Sequence, residues 1–573
     1  MTEQEMRQLL ELYEEDEGIE EEEEEEEEGE GEEVHEEDDD DAEYDDEEYE
    51  AVHSQRRADW YPTALKEPKD EGLELLKGGD FGRTGVKLQT RSKRYNVAQS
   101  VLARSSKPVP VFHKEDIHAN LVPNTNGTAV AKYDANMYTA QFSDDFKLHL
   151  FDMRAPPSKE SPVQLRRRVR ETDSSLVTRM AVRKVIQGHP GRWTITDANL
   201  SPDNERMIYS SIAPTVYMTS TAPDGDLRQI PIPFSDPITR SSPLFSYGES
   251  FGIWSCRFSA DGNEVVAGGS GNIFVYDLIA NRRTVKISAH TDDVNSCCWA
   301  DKGSGNVLVS ASDDTFLKVW DRRSLGASRK PAGVLIGHTE GITYVSAKGD
   351  GRYIISNGKD QALRLWDLRN MRSSSEFEAV ENHSYGIKNF DYRYPSYGRP
   401  RYLAHPKDCS VMTFRGHRVL RTLIRCHFSP QETTGGQYIY SGSSDGKIHI
   451  WSLDGTVVNI LDRSKTLPDS ISPSGPELEP VRGADPHNCV RDVSWHSQEP
   501  VIMSAAWDSY HGGTVVARHE YKGLSKMAYS LQDYTEKERA ERKEKRSSQS
   551  RSHRRLPGAY HSDEFSDMFD DED

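Results

Sequence analysis

The chain has 573 residues, with 95 Asp or Glu against 71 Lys or Arg and a formal charge of −24 at pH 7. That length exceeds one average domain, yet it suits a ring in which each repeat adds a sheet. The charge is local: Glu14 to Glu50 holds 28 acids among 37 residues with no Lys or Arg, and the rest carries 67 acids against 71 bases. No run of about 18 apolar residues occurs, so a membrane-spanning helix is not expected. The N-terminus lacks the basic and apolar regions of a secretion signal. The six cysteines form no C-x-x-C pair and most lie in apolar, strand-like runs. They read as reduced core thiols of an intracellular protein.

Residues 4–13, QEMRQLLELY, place Met6, Leu9, Leu10 and Tyr13 on one helical face. Such a helix docks either on a partner or on this chain's own surface. The acidic run after it cannot bury enough apolar surface to offset its ordering entropy, so residues 1–50 are expected to be a short helix followed by a disordered tail. The tail is either a docking arm for basic partners or a solubilising segment. Residues 51–127 are a polar linker with one helical stretch, RSKRYNVAQSVLAR.

From about Thr128 the pattern changes. Asp314, Asp360 and Asp445 each lie six residues before Trp320, Trp366 and Trp451. Upstream of each Asp comes an apolar run ending in small residues: VLVSAS, YIISNG and YIYSGS. That order reads as strand, tight turn, strand. His290, His338 and His487 precede the first strand of their units; His290 to His338 is 48 residues and Trp320 to Trp366 is 46. A period in the forties, with G-H near its start and W-D near its end, is the WD-repeat signature. His290, Ser310, Asp314 and Trp320, and likewise His338, Ser356, Asp360 and Trp366, are expected to form one buried hydrogen-bonded chain per blade. Each group would cost roughly 1–3 kcal/mol if buried unpaired. A repeated His–Asp pair is thus read as scaffolding, not as a catalytic base.

Weaker copies fill the rest, giving seven units. Unit three, WSCRFSADGNEVVAGGSGNIFVYDL, has Ser270 six residues before Tyr276, with Asp277 following. Unit two keeps Gly188-His189 but loses the terminal Trp-Asp, and unit seven has extra residues in its second turn. In unit one, YTAQFSDDFKLHLFDMR, Asp145 follows Ser143 so closely that one whole strand is missing. The fold class expected is therefore all-β: a seven-bladed WD40 β-propeller over 128–525 with its first blade truncated, closed by Thr128–Tyr133 lent to the last blade. An insertion from Met371 to about Arg418 interrupts units five and six. Residues 526–573 form a charged, largely disordered tail, with nine Lys or Arg between Lys537 and Arg555 and an acidic end bearing Phe565 and Phe569.

No phosphate-binding glycine loop, zinc-ligand motif or nucleophile elbow occurs. No enzyme activity, cofactor or metal is expected. Trp320-Asp321-Arg322-Arg323 and Trp366-Asp367-Leu368-Arg369 add one feature, an Arg two places after the Asp in two adjacent blades. This resembles the W-D-x-R boxes of substrate receptors for cullin-4 RING ubiquitin ligases, and the likeness runs over roughly residues 118–520. Phe151-Asp152-Met153-Arg154 echoes the box with Phe for Trp. The resemblance implies a non-catalytic receptor that binds the ligase adaptor, the large damaged-DNA-binding subunit, and presents substrate proteins for ubiquitination. Arg323 and Arg369 would meet the adaptor while Asp321 and Asp367 hold the local turn, and residence in nucleus and cytoplasm would follow. A planar guanidinium suits such an interface; the alternative is that each Arg only pairs with its own blade's Asp. The rival reading is a histone- or RNA-associated WD scaffold using the acidic arm or the basic tail. Direct nucleic-acid binding and membrane contact are not expected.

Overall fold

The computed structural model describes residues 60–82, 118–133, 147–153, 155, 176–178, 180–189, 192–225, 228–236, 251–325, 330–467, 488–507 and 513–522. The expected helix over 4–13, the acidic run, the helical stretch at 91–104, His487, Ser143, Asp145 and the C-terminal tail lie outside them.

Antiparallel sheets follow one another along the chain, and those of units two to six pair their strands in sequence order. Unit two is Arg192–Leu200, Arg206–Ile212, Thr215–Ser220 and Ile230–Pro233; unit three is Ile253–Phe258, Glu264–Asp277 and Arg282–Asp293. Glu264–Asp277 does the work of two strands: Leu278 donates back to the Asn263 carbonyl at 2.9 Å, and Gly271 sits at the bend with φ +64°. Unit four is Ser296–Trp299, Val307–Ala311, Leu317–Asp321 and Gly333–Leu335. Unit five is Ile342–Ala347, Tyr353–Gly358, Ala362–Asp367 and Met412–Phe414, and unit six is Cys426–Phe428, Tyr438–Ser441, Lys447–Ser452 and Val457–Asp462.

The ring closes where Thr128–Tyr133 pairs with Thr514–Glu520, the third strand of unit seven after Cys489–Trp495 and Val501–Trp507. Leu176–Thr178 then pairs with Thr128–Tyr133, making that sheet five-stranded.

The expected count of seven blades is corrected here. Among the described residues six sheets have blade form, and unit one shows two strands, Lys147–Asp152 on Ala181–Gln187. The sequence leaves only one residue between Ser143 and Asp145, too few for a second strand there, and both residues lie outside the described ones. The reduced sheet still bridges its neighbours: Leu148 and Ile186 pack on Ile195 and Tyr209 of unit two, while Phe151 packs on Tyr133 and Val516 of unit seven. The insertion also falls inside unit five, because residues 371–411 separate its third strand from its outer strand Met412–Phe414.

Cores lie between sheets. Trp320 packs with Val275, Ile287 and Leu308 between units three and four, and Trp366 with Val309, Leu317 and Ile354 between units four and five. The polar chains lock the same places. His290 Nδ1 meets Asp314 at 2.7 Å, its Nε2 meets Ser310 Oγ at 2.7 Å, and Trp320 Nε1 donates to that oxygen at 3.0 Å. In unit five the corresponding distances for His338, Asp360, Ser356 and Trp366 are 3.0, 2.7 and 2.8 Å. The turn after each Asp needs a left-handed residue, supplied by Thr315, Gln361 and Gly446 with φ of 76°, 59° and 77°. Unit six departs: Trp451 Nε1 donates to the Arg415 carbonyl at 3.2 Å, and His417 Nε2 meets Asn357 Oδ1 at 2.7 Å.

Candidate functional site

Each third strand ends at its Trp-Asp and turns toward the outer strand, and the Asp organises that turn. Asp321 accepts the Arg323 backbone N–H at 3.0 Å, then the Arg323 Nε at 2.9 Å and its Nη2 at 2.6 Å. Asp367 repeats the arrangement on Arg369 at 3.0, 3.1 and 2.8 Å. A backbone cap plus a two-pronged ion pair fixes each guanidinium plane. Both arginine side chains stay about two-thirds exposed, at 69% and 66%. The bonds from Arg323 hold the Asp321 carboxyl below the usual carboxylate range. Pairing within the blade and presentation to a partner are thus compatible: the Asp uses one edge of the guanidinium and leaves the other to solvent.

The neighbouring Arg322 is spent within the fold. It grips both oxygens of Glu264 at 2.7 Å and lies over the Trp299 ring, tying unit four to unit three. The second box has a further support. Arg352 Nε donates to Asp367 at 3.0 Å, and its Nη1 reaches Asp80 at 2.6 Å. Asp80 belongs to the segment 60–82, which runs along units five and six. Phe81 anchors it, buried against Tyr353 with ring centroids 4.7 Å apart, and the Lys348 ammonium sits 4.1 Å over its ring. Gly72 in the helix Asp70–Lys77 is required at its position, because a Cβ there would meet the Leu453 carbonyl at 2.3 Å.

Sequence reasoning missed one further turn of this kind. In unit three, Tyr276-Asp277-Leu278-Ile279 occupies the register of the W-D-x-R boxes, and Asp277 caps the Ile279 N–H at 2.9 Å. Ile279 is 78% exposed, the most exposed large apolar side chain among the described residues. The signal was in the sequence, where Asp277 follows Tyr276 at the same spacing from Ser270. Three consecutive blades therefore present Ile279, Arg323 and Arg369 from one kind of turn. Arg154 of the unit-one box lies outside the described residues.

The axis of the ring holds a second polar site. Asp197 of unit two is buried between Arg257 of unit three and Arg425 of unit six, bonding Arg425 at 2.9 Å and the Cys256 N–H at 3.0 Å. Burial alone would raise its pKa, but the two guanidiniums hold it below the usual value. Arg425 also reaches Asp492 of unit seven at 3.4 Å, and Arg257 donates to the Tyr344 hydroxyl at 2.8 Å. This network lines a cavity of about 550 Å³ that Tyr392 and Arg393 of the insertion also border. Among the described residues, no group of three His, Cys, Asp or Glu is placed to hold a metal. All six cysteines are buried and unbridged. No helix among the described residues is long and apolar enough to cross a membrane.

Sheets in sequence around an axis, locked by His–Ser–Asp–Trp chains, define a WD-repeat β-propeller. The family model for the WD domain, G-beta repeat, matches residues 241–277, 281–321, 329–367 and 408–452. The chain is 40% identical over 376 residues to the LEC14B homolog of Prunus armeniaca, covering 64% of this chain and 69% of that protein. It is 43% identical over 338 residues to the LEC14B protein of Lithospermum erythrorhizon, covering 58% of this chain and 64% of that protein. A DDB1- and CUL4-associated factor 11 homolog of Caenorhabditis briggsae is 39% identical over 262 residues, covering 45% of this chain and 42% of its own length. The chain belongs to this family of WD-repeat proteins, typified by LEC14B and related to the DDB1- and CUL4-associated factor 11 homologues.

Proposed function

We propose that this chain is a non-catalytic substrate receptor that links target proteins to a cullin-4 RING ubiquitin ligase. The observation that carries the reading is the matched pair of Asp-capped, exposed guanidiniums, Arg323 on Asp321 and Arg369 on Asp367, in adjacent blades. The name of the nematode homologue, a DDB1- and CUL4-associated factor, supports the same reading. The adaptor, the large damaged-DNA-binding subunit, would supply carboxylates or carbonyls to the outer edges of both guanidiniums, with Ile279 as an apolar contact beside them. The propeller, spanning 128–525, would then hold a substrate near a ubiquitin-charged enzyme, raising effective concentration without chemistry of its own. Residence in nucleus and cytoplasm belongs to this reading. Affinity capture of the full chain from cells tests it: cullin-4 and the adaptor should co-purify, and a bound protein should accumulate when the chain is depleted. Recovery of histones or RNA without cullin-4 would favour the scaffold reading instead.

A further inference from the structure

An exposed sheet edge is a template for another strand, and most outer edges of this ring are blunted or covered. Unit two ends on Ile230–Pro233, where Pro231 and Pro233 remove two donors. The three-residue outer strand of unit four is bridged by Arg372, which exchanges backbone bonds with Val334 at 2.7 and 2.9 Å. Unit five ends on a strand of only three residues. Along unit six, Leu65 bridges to Thr456, Asn459 bonds the Pro123 carbonyl and Asp462 bonds Asn126. Unit seven takes two added strands. In unit one the Gln187 carbonyl is taken by Gln229.

Unit three is different. Its outer strand, Arg282–Asp293, runs 12 residues, and among the described residues no strand pairs with its far side. A bulge at Thr284 is followed by a regular run in which Val285, Lys286, Ile287 and Ser288 face Val275, Phe274, Ile273 and Asn272 in unbroken register. That run borders a groove of about 740 Å³ whose other wall is the turn of the first arginine box, with Asn306, Arg322, Arg323 and Leu325. Of the three cations in its lining, Lys286 is paired with Asp236 and Arg322 with Glu264, so the two-thirds-exposed Arg323, capped by Asp321 on one edge only, is the one that offers charge to a partner.

We propose that the run Val285–Ser288 accepts an extended, acid-bearing segment of the partner that meets the arginine rim, added to unit three as a further strand. The site rests on the receptor reading, because Arg323 serves both the rim and the groove. Backbone bonds to the open edge would supply affinity, and the solvent-facing edge of Arg323 would select a segment carrying Asp or Glu.

Amide hydrogen exchange on the full chain, free and bound to purified adaptor, tests the proposal. Exchange within 284–288 should slow at least tenfold in the complex, and Ser288→Glu should weaken adaptor binding about tenfold while Ser288→Lys does not. Thermal melts of both variants should match the wild type, since Ser288 is exposed. Unchanged exchange at 284–288 in a complex that still needs Arg323 and Arg369 would overturn the added strand and leave the receptor reading intact. Protection that appears on concentrating the free chain would assign the edge to a second copy and also overturn it. Loss of any dependence on Arg323 and Arg369 would count against the receptor reading itself.

Discussion

Arg352 and Asp367 are joined by a 3.0 Å bond, and through that bond the second arginine box is tied to residue 80, far away in sequence. Asp367 thus carries two guanidiniums, Arg369 toward solvent and Arg352 toward the body of the ring. Asp80→Ala should loosen Arg352 without removing it. A stability loss of about 1 kcal/mol or less is expected for so exposed a pair. Urea denaturation measures it, and a loss of several kcal/mol would mean the segment 60–82 is held chiefly through Asp80, not Phe81.

The axial network should behave very differently. Asp197 is 1% exposed and faces two guanidiniums, so Asp197→Ala would leave Arg257 without its carboxylate and Arg425 with Asp492 alone. Breaking such a buried cluster costs about 3–5 kcal/mol. Urea denaturation should show that loss, with Asp197→Asn intermediate. A cost below about 1 kcal/mol would mean that water already screens the cluster.

Stability should fall on mild acidification. Burial lowers His417 to about 3, His449 to about 4 and His519 to about 3. The unfolded chain takes up these protons near pH 6.5 while the folded chain does not, so stability is full above that pH and is lost as pH drops below it. Asp360, held ionised by His338 and Arg364 against its burial, adds loss in the same direction at lower pH. Thermal melts between pH 7.5 and 5 should show a falling midpoint, with a smaller slope in His519→Gln. A midpoint that holds steady over that range would contradict the account.

Ile279 should matter for binding and not for folding. Ile279→Asp is expected to weaken adaptor binding about tenfold or more, as for an apolar anchor buried on docking, and to leave the thermal midpoint unchanged. Titration calorimetry reads the first and differential scanning calorimetry the second. Equal affinity of variant and wild type would remove Ile279 from the interface.

What could be read in advance was what repeats locally. The two His–Ser–Asp–Trp chains lie within about 30 residues each and recur with fixed spacing, so sequence alone placed every member. The arginine boxes were visible for the same reason. Ile279 escaped because unit three ends its third strand on Tyr276 instead of Trp. The blade count failed in unit one: a missing strand shows as a gap, but the pairing of Lys147–Asp152 with Ala181–Gln187 and the addition of Leu176–Thr178 outside the closing strand Thr128–Tyr133 are long-range outcomes. Asp80, Phe81 and Asp197 carry no periodic signal, since the partners that hold them lie between 59 and 347 residues away.

The central claim is that two Asp-capped arginines on adjacent blades form the docking rim. Its most direct test is the affinity of purified adaptor for the full chain, wild type against Arg323→Ala/Arg369→Ala. The double variant should keep its thermal midpoint, because both side chains are about two-thirds exposed, and should bind about 100-fold more weakly. Equal binding by the two proteins, with both folded, would contradict the claim.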